Sequence, residues 1–410
     1  MLWFQSTLIV LLLTSSATAG DWPQWLGPNR DGISNEVVAP WKDAPKVVWR
    51  FPAGEGNGSP SVANGKVFFH AKIKDKDEEE VIALDTETGK EIWRTKYPRV
   101  AFKSLYGNGP RATPAIDGNR VYTFGITGLL TCFDTADGKQ IWQVDTLKEF
   151  GAPNPFFGMA CSPLVEGKNV LVNVGGKGAS IVAFDKESGK VSWQVRDDRA
   201  SYSSPIVFGE GEERQVVFLT GQGLVSLNPA DGKTFWNFPL VDLLLESSTT
   251  PVRSGNMLMA SSITYGSVGL NLGSKDGKPS GSLAWKNDQL TCYFATPVPV
   301  GDQLFVVTGT KPPALTSKAD LHCLDFKTGK ELWVKQKVGK YHATLLRTGD
   351  SKLLLLEEAG NLVLLEPSPT EYRELARSKV CGETWVHPAL ANGRLYVRDG
   401  KEVICLSLKE

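Results

Sequence analysis

Short apolar runs of four to eight residues alternate along the chain with turns rich in Gly, Asp and Asn. The run Arg120–Phe124, for example, is followed closely by the run Leu129–Phe133. Runs of this length bounded by turn residues are typical of β-strands. No stretch carries a helical apolar stripe of useful length, so the pattern predicts an all-β chain of short strands.

The strands belong to a repeat that is marked by a tight turn and a tryptophan. In its complete form the marker runs from Asp85 through Gly89 and Lys90 to Trp93. Asp opens the turn and Gly supplies a positive φ, while the tryptophan falls on an outer strand where its ring can pack against a neighbouring unit. The residue ten positions earlier is always small in the five intact copies, which predicts a slot for a small side chain. The predicted docking tryptophans are Trp49, Trp93, Trp142, Trp193, Trp236, Trp285 and Trp333.

A second marker, Ser/Thr-Pro or a variant of it, begins each unit. The eight heads are Ser59-Pro60, Thr113-Pro114, Ser162-Pro163, Ser204-Pro205, Thr250-Pro251, Thr296-Pro297, Thr344-Leu345 and His387-Pro388. Their spacing of roughly 40–50 residues is typical of propeller blades. The repeat therefore predicts an eight-bladed β-propeller of four-stranded antiparallel blades.

The ends of the chain indicate how the ring closes. Residues 384–410 supply only three strands, whereas Lys46–Phe51 forms an isolated strand near the other end. Pairing the N-terminal strand with the C-terminal blade completes both. We therefore expect a signal peptide over residues 1–19, a lead-in over 20–45 and a single propeller over 46–410.

The marker that ends in Trp93 resembles the tryptophan-docking repeat of the pyrroloquinoline-quinone (PQQ)-type propellers, which are typically eight-bladed. The resemblance covers residues 45–410 and is specific for fold, because five copies are intact. Two groups share the repeat: the quinoprotein dehydrogenases, which are enzymes, and the outer-membrane assembly propeller of the BamB type, which is a scaffold. The segment Asp21–Gly32 also resembles the lead-in of many exported bacterial propellers.

Composition and the N-terminus favour an exported protein. The 45 basic and 45 acidic residues balance, which indicates no bulk attraction to nucleic acid. The apolar core Leu8–Leu13 and the small residues Ala17 and Ala19 are typical of a cleaved signal peptide. The alternative is an apolar start that stays uncleaved. We expect a periplasmic or extracellular monomer with no transmembrane segment after cleavage, and no lipid anchor because no Cys follows the cleavage site.

The blade heads supply the candidate binding residues. Side chains one and three residues before each head Pro or its variant share a face, and both sets are expected to lie at the mouth of the axial channel. The hydroxyls are interpreted as structural, because Ser and Thr bond nearby backbone groups. The mixed outer set suits a planar or anionic ligand or a partner, although ordinary surface variation gives the same pattern. The candidate residues are Asn57, Arg111, Tyr202, Phe294, His342, Trp385 and His387.

Metal and redox motifs are lacking in the sequence. The four histidines show no zinc-binding spacing, and His342 and His387 are the only two that adjacent heads would bring together. No adjacent Cys-Cys pair and no Cys-x-x-Cys motif occurs among the six cysteines. We therefore predict no metal site and no catalytic residue.

Two functions remain open. As a scaffold, the propeller would present loops 95–110 and 144–160, which are rich in aromatic residues, to an envelope protein or polymer. As an enzyme, it would be a quinoprotein dehydrogenase of an alcohol or sugar, with PQQ and calcium as cofactors. The resemblance implies for that enzyme a vicinal disulfide, a calcium set of Glu, Asn and Asp, and long enclosing insertions, none of which the sequence supplies. The scaffold is therefore the favoured hypothesis, with no cofactor and no nucleic-acid partner.

Overall fold

The computed structural model describes residues 20–309 and 318–409, so the predicted signal peptide lies outside the described residues. Within those ranges the strands form eight four-stranded antiparallel sheets. The helical elements described are α1 (Thr146–Phe150) and the 3-10 turn Gly211–Glu213. The predicted all-β, eight-bladed propeller is therefore confirmed.

The blades follow one another along the chain, and in each the strands run from the channel outwards. Strand β1 is Lys46–Pro52. Blade 1 contains β2 (Ser61–Ala63), β3 (Lys66–Lys72), β4 (Glu78–Asp85) and β5 (Glu91–Pro98). Blade 2 contains β6 (Ala115–Asp117), β7 (Arg120–Phe124), β8 (Leu129–Asp134) and β9 (Gln140–Asp145). Blade 3 contains β10 (Leu164–Glu166), β11 (Asn169–Gly176), β12 (Ala179–Asp185) and β13 (Val191–Val195). Blade 4 contains β14 (Ile206–Phe208), β15 (Gln215–Thr220), β16 (Gly223–Leu227) and β17 (Thr234–Pro239).

The second half of the ring repeats this arrangement. Blade 5 contains β18 (Val252–Ser254), β19 (Met257–Ser262), β20 (Gly266–Lys275) and β21 (Lys278–Asn287). Blade 6 contains β22 (Val298–Val300), β23 (Gln303–Thr308), β24 (Ala319–Asp325) and β25 (Glu331–Gly339). Blade 7 contains β26 (Ala343–Arg347), β27 (Leu353–Glu357), β28 (Asn361–Glu366) and β29 (Arg373–Lys379). Blade 8 contains β30 (Ala389–Ala391), β31 (Arg394–Arg398) and β32 (Glu402–Ser407).

Strand β1 completes blade 8, as the chain ends predicted. It pairs antiparallel with β32, from Lys46 opposite Ser407 to Pro52 opposite Glu402. The buried guanidinium of Arg398 then ties blade 8 to blade 1 through the carbonyl oxygens of Gly58 and His70, at 3.0 and 2.9 Å. The ring is thus closed by main-chain pairing, which leaves no free edge on β32.

Each predicted docking tryptophan lies on an outer strand, and all but one donate the indole N–H to a backbone carbonyl of the next blade. The Trp142 ring lies against Gly189 in the turn of blade 3, where an added Cβ would sit 2.7 Å from the ring. Its indole N–H donates to Lys186 O at 3.0 Å. Six of the seven tryptophans donate to a backbone carbonyl of the following blade in this way. The exception is Trp236, which donates to the Gln215 side chain within its own blade.

The strand register explains the small slot. Trp142 lies directly opposite Cys132, and the other intact copies place Ala, Ser or Cys opposite their tryptophan. A register shift follows each of these pairs, so one residue before the tryptophan is left without a cross-strand partner. A β-bulge re-aims a side chain in this manner, and here it turns the indole ring towards the neighbouring blade.

The lead-in fills the axial channel, which the sequence did not predict. Trp22 pairs with Val62 of blade 1, and Ile33 pairs with Arg347 of blade 7. Between them the buried Arg30 guanidinium donates to Pro205 O, Pro163 O and Ser162 O at 2.7–3.0 Å. We call residues 21–38 the plug, because their contacts with opposite blades span the channel.

Two blades depart from the repeat. The insertion in blade 5 lengthens β20 and β21 to ten residues each. Blade 7 has Ala376 in place of a docking tryptophan, opposite Leu364, and Trp41 of the lead-in packs against the same apolar cluster. No helix in the described part of the chain has the length and apolar character that a membrane crossing requires.

Candidate functional site

The blade heads form a hydrogen-bonded ring around the channel. We call the end of the channel at which the inner strands begin the upper face. On one side of the ring, each head hydroxyl accepts the backbone N–H of the preceding head. Ser59 N donates to Thr113 Oγ1 at 3.1 Å, Thr113 N to Ser162 Oγ at 3.0 Å, and Ser162 N to Ser204 Oγ at 2.9 Å. These hydroxyls therefore join blades, as their structural interpretation requires.

The predicted mouth residues do not form one open ring. Asn57, Arg111, Phe294 and Trp385 are partly exposed, whereas Tyr202, His342 and His387 are buried. The burial has two causes: the plug fills the channel below, and aromatic side chains cover it above. The side chains of His342 and His387 therefore lie beneath the surface of the mouth, and the binding role of the seven candidate residues stays a prediction.

An aromatic cluster covers one side of the mouth. The rings of Phe294 and Trp385 lie 5.0 Å apart, Tyr293 stacks on Phe294 at 3.9 Å, and Tyr341 contacts Trp385 at 5.8 Å. The Trp385 indole N–H donates to Glu358 Oε1 at 2.8 Å. The opposite oxygen of Glu358 accepts backbone N–H groups of the segment that leads into β26. The cluster is thus fixed by its own contacts.

Beneath this cluster lie the two buried histidines. His342 and His387 are 2% and 3% exposed, and their ring centroids are 5.9 Å apart. The indole ring of Trp25 from the plug meets His387 edge-on at 4.7 Å. Burial lowers the pKa of His342 to about 4 and lowers the pKa of His387 well below its usual value. Both imidazoles are therefore neutral at physiological pH.

On the other side of the mouth, Arg111 joins two loops rather than facing solvent as a free cation. Its Nε donates to Phe157 O at 2.8 Å, and its Nη2 donates to Tyr106 O and Gly107 O at 3.1 and 3.2 Å. The Tyr202 hydroxyl accepts Phe157 N–H at 3.0 Å. Burial lowers the pKa of Arg111, although its guanidinium stays charged. Arg111 and Tyr202 therefore position the loops that carry Tyr106 and Phe157.

A buried polar network holds the base of loop 99–110. Arg99 donates to Val100 O and Asn108 O at 3.0 and 3.1 Å, and its Nε lies 3.7 Å from Glu79 Oε1. Glu79 in turn accepts the Tyr97 hydroxyl at 3.1 Å and the Ile126 N–H of blade 2 at 3.2 Å. This loop is anchored by charge-assisted contacts at its base while its tip remains exposed.

Loop 240–249 is built in a similar way. The carboxylate of Asp242, which is buried, accepts Leu244 N at 3.1 Å, Glu246 N at 2.8 Å and Ser247 Oγ at 2.7 Å. This Asx-type turn directs Leu243 into solvent, where 82% of its surface is exposed. The sequence prediction missed this loop, although a run of three leucines outside any turn marker was visible.

Exposed apolar side chains are concentrated on these upper loops. Leu105 is 91% exposed and Phe156 is 70% exposed. Large exposed apolar groups on neighbouring loops mark interaction sites in soluble proteins. We call the following residues the upper apolar patch: Val100, Leu105, Tyr106, Phe156, Leu243 and Leu244.

A pocket of about 340 Å³ adjoins the patch between blades 3 and 4. Its lining includes Val241, Phe238, Asn237 and the ion pair of Arg196 with Asp198. The Arg196 Nε lies 2.9 Å from Asp198 Oδ2. The pocket thus combines an apolar wall with hydrogen-bonding groups and an ion pair.

The comparisons with known proteins decide the family. The family model described as outer membrane protein assembly factor BamB matches residues 31–100 and 77–335. The chain belongs to this family. BamB from Yersinia pestis is 25% identical over 313 residues, which cover 70% of this chain and 71% of that protein. The crystal structure of BamB from Moraxella catarrhalis has a TM-score of 0.62 at 16% identity and covers 89% of this chain and 98% of that one.

The same fold also occurs in enzymes. The quinohemoprotein alcohol dehydrogenase of Comamonas testosteroni has a TM-score of 0.69 at 15% identity, and the match covers 97% of this chain and 81% of that one. At this identity the likeness shows the fold alone. Whether this chain can hold calcium and a quinone must therefore be judged from the residues at the channel mouth.

The donor set at this mouth does not fit a calcium–quinone site. Calcium takes six to eight oxygen ligands, mainly carboxylates and carbonyls. Two carboxylates beside the mouth are committed elsewhere: Glu358 to Trp385 and backbone N–H groups, and Glu246 to the Tyr293 hydroxyl. The described residues contain no group of three or more His, Cys, Asp and Glu side chains placed to hold a metal. Aromatic rings of this chain cover the mouth, and the plug fills the channel below.

Proposed function

We propose that this chain is a non-catalytic scaffold of the BamB family, which acts in outer membrane protein assembly by docking an envelope protein on its upper face. The observation that carries the proposal is the upper apolar patch on a member of this family. The patch residues lie on three loops that different blades supply, so one partner surface can contact several of them at once.

The rigidity of the loops supports docking. Arg99 and Arg111 hold loop 99–110, Arg111 and Tyr202 hold the segment around Phe157, and Asp242 holds loop 240–249. A surface that is ordered before it binds loses less conformational entropy on association. The patch therefore has the properties of a preorganised interface.

The proposed location follows from the same role. We place the protein in the periplasm or outside the cell, after removal of residues 1–19 and without a lipid anchor. The lead-in of residues 20–45 and the propeller of residues 46–410 then form one functional unit, because the plug lies inside the channel. A protein partner is favoured over nucleic acid because the 45 basic residues are balanced by 45 acidic ones.

The alternative is a quinoprotein dehydrogenase, which the fold of the Comamonas testosteroni enzyme supports. Its test is direct. The purified protein is incubated with PQQ and calcium, and dye reduction is measured with alcohols and sugars. Quinone-dependent turnover would replace the scaffold proposal, whereas the scaffold proposal expects none.

The docking proposal is tested with charge substitutions in the patch. Leu105→Glu and Leu243→Glu place a carboxylate at positions whose exposure makes a loss of stability small. Val37→Glu is the matched control, because Val37 is 69% exposed and lies beside Gly349, at the opposite end of the channel. Each variant is titrated by biolayer interferometry against purified components of the outer membrane protein assembly machinery from the same bacterium.

We expect wild type and Val37→Glu to bind one component equally and each patch variant to bind it at least about tenfold more weakly, as for loss of an interface anchor. Melting curves confirm that all variants are folded. Equal binding by all four proteins would show that the patch is not the interface.

A further inference from the structure

The polar side chains of the blade heads form hydrogen bonds on one side of the channel but lack partners on the other. The hydroxyls of Thr113, Ser162, Ser204, Thr250 and Thr296 all accept hydrogen bonds. In the adjoining arc, formed by blades 7, 8 and 1, the side chains of Thr344, His387 and Ser59 have buried polar atoms without a partner in the structure. The repeat thus leaves polar groups uncommitted in one arc.

The two histidines make this arc unusual. Both ring nitrogens of His342 and both of His387 lack a hydrogen-bond partner, and both side chains are almost fully buried. Buried side-chain polar atoms are bonded in the large majority of cases, so each exception requires an explanation. Unpartnered nitrogens on two imidazole rings in contact indicate that an ion or a small molecule binds between them.

We propose that His342 and His387 together bind one divalent transition-metal ion of the zinc class, with water in the remaining positions. Imidazole nitrogen is a preferred ligand for such ions. The site lies in the upper channel, above Trp25 of the plug and below the aromatic cluster of Phe294 and Trp385. It is distinct from the upper apolar patch and does not depend on the proposed docking function.

The spacing of the rings fits a shared ion. With a zinc–nitrogen bond of about 2.1 Å, the metal lies about 3.2 Å from an imidazole centroid. Two rings on one ion are then about 5.2 Å apart at a tetrahedral angle and about 6.4 Å apart in a linear arrangement. The observed separation of 5.9 Å lies between these limits. A ring flip brings either nitrogen of His387 to the ion, because neither is held by another group.

The surroundings favour a cation with few protein ligands. The Glu358 carboxylate accepts the His342 backbone N–H at 3.3 Å, which places a negative charge next to the pair. The hydroxyls of Thr344 and Ser59, in the same arc of blade heads, also have no partner. Outer contacts such as that of Glu358 orient the ligands of a metal site.

The proposal is tested with tag-free, full-length protein that has been dialysed against a chelator. Co²⁺ is added and visible absorption is recorded, after which Zn²⁺ is used to displace it. The variants are His342→Asn and His387→Asn, and the control is His322→Asn. His322 serves because its ring is occupied by Glu331 and Thr308 and it lies outside the channel.

We expect one Co²⁺ ion per chain and its displacement by Zn²⁺. Each channel variant should bind the ion at least about tenfold more weakly, because loss of a group that holds or orients a metal ligand lowers the metal affinity by about that factor or more. The His322→Asn protein binds as wild type does. Wild-type protein that binds neither ion, or channel variants that bind both unchanged, would overturn the proposal.

A second measurement needs no variant and covers the case in which a channel variant fails to fold. Long-range ¹H–¹⁵N spectra of the wild-type side chains are recorded with and without Zn²⁺. Two histidine ring systems are expected to shift on addition of one equivalent, while His70 and His322 stay unchanged. Four unchanged ring systems would indicate that only water lies between the imidazoles and would contradict the proposal.

Discussion

The contact between Gly189 and Trp142 predicts a measurable difference between two glycine substitutions. Gly189 has φ +70° and its added Cβ would lie 2.7 Å from the Trp142 ring. Gly178 in the same blade has φ +68° and no atom within 4 Å of an added Cβ. The backbone strain of alanine at positive φ is therefore common to both sites, and only Gly189→Ala also displaces the indole.

The strain of a left-handed residue costs about 1–2 kcal/mol, and overpacking against a buried side chain adds about 1–3 kcal/mol. We expect Gly178→Ala to lose about 1–2 kcal/mol and Gly189→Ala about 2–5 kcal/mol of unfolding free energy. The loss is measured by urea unfolding, followed by circular dichroism. Replacement of Gly by Ala lowers the conformational entropy of the unfolded chain equally in both variants, so this effect cancels when the two are compared. Equal losses would show that the indole does not dock on the turn.

Three further predictions concern closure, the plug and acid stability. Deletion of residues 20–52 removes β1 and exposes β32, so we expect aggregation or a large loss of cooperative unfolding, and a variant that melts as wild type does would contradict the closure. Burial raises the pKa of Asp31 to about 6, which means that the folded protein favours the protonated carboxyl group. The stability that this group contributes is fully present below the usual pKa of Asp and is lost as the pH rises through about 6. Asp31→Asn should therefore stabilise the protein by about 1–3 kcal/mol near pH 7.5 but not near pH 4, as urea midpoints would show. Burial acts to raise the pKa of Glu79, but His70 and Arg99 outweigh it and the pKa is lowered. The ionised Glu79 carboxylate stabilises the fold above the usual glutamate pKa of about 4.3, and this stabilisation is lost as the pH falls through the lowered value. The Glu79→Gln variant should therefore lose less stability than wild type on acidification. An equal loss in both proteins would refute this.

The repeat made the fold predictable because one local pattern is copied around the ring. Each Asp-to-Trp marker specifies a turn, an outer strand and a contact with the next blade, and the small residue opposite Trp142 follows from the same register. The eight heads then specify the number of blades. Such nearest-neighbour contacts are what make repeat architectures readable from sequence.

The plug could not be predicted in this way, because its contacts are long-range and occur once. Arg30 bonds blades 3 and 4, whereas Ile33 pairs with blade 7. A fully buried arginine among carbonyl oxygens has no periodic signal in the sequence. The burial of His342 and His387 depends on this plug, which explains why their positions were predicted near the mouth while their accessibility was not.

The loops of the candidate surface were predicted in part. The aromatic content of loops 95–110 and 144–160 indicated an interface, and Tyr106 and Phe156 are indeed exposed. Tyr97 is buried instead, where its hydroxyl contacts Glu79. Loop 240–249 was missed because a leucine-rich run resembles a strand until the buried Asp242 is seen to hold it as a turn.

Site-specific photo-crosslinking in living cells tests the scaffold account most directly. A photoreactive amino acid is placed at Leu105, at Leu243 and, on the opposite face, at Val37. The account predicts that both upper positions crosslink to the same component of the outer membrane protein assembly machinery and that Val37 does not. Crosslinks to that component from Val37 alone, or from none of the three positions, would contradict it.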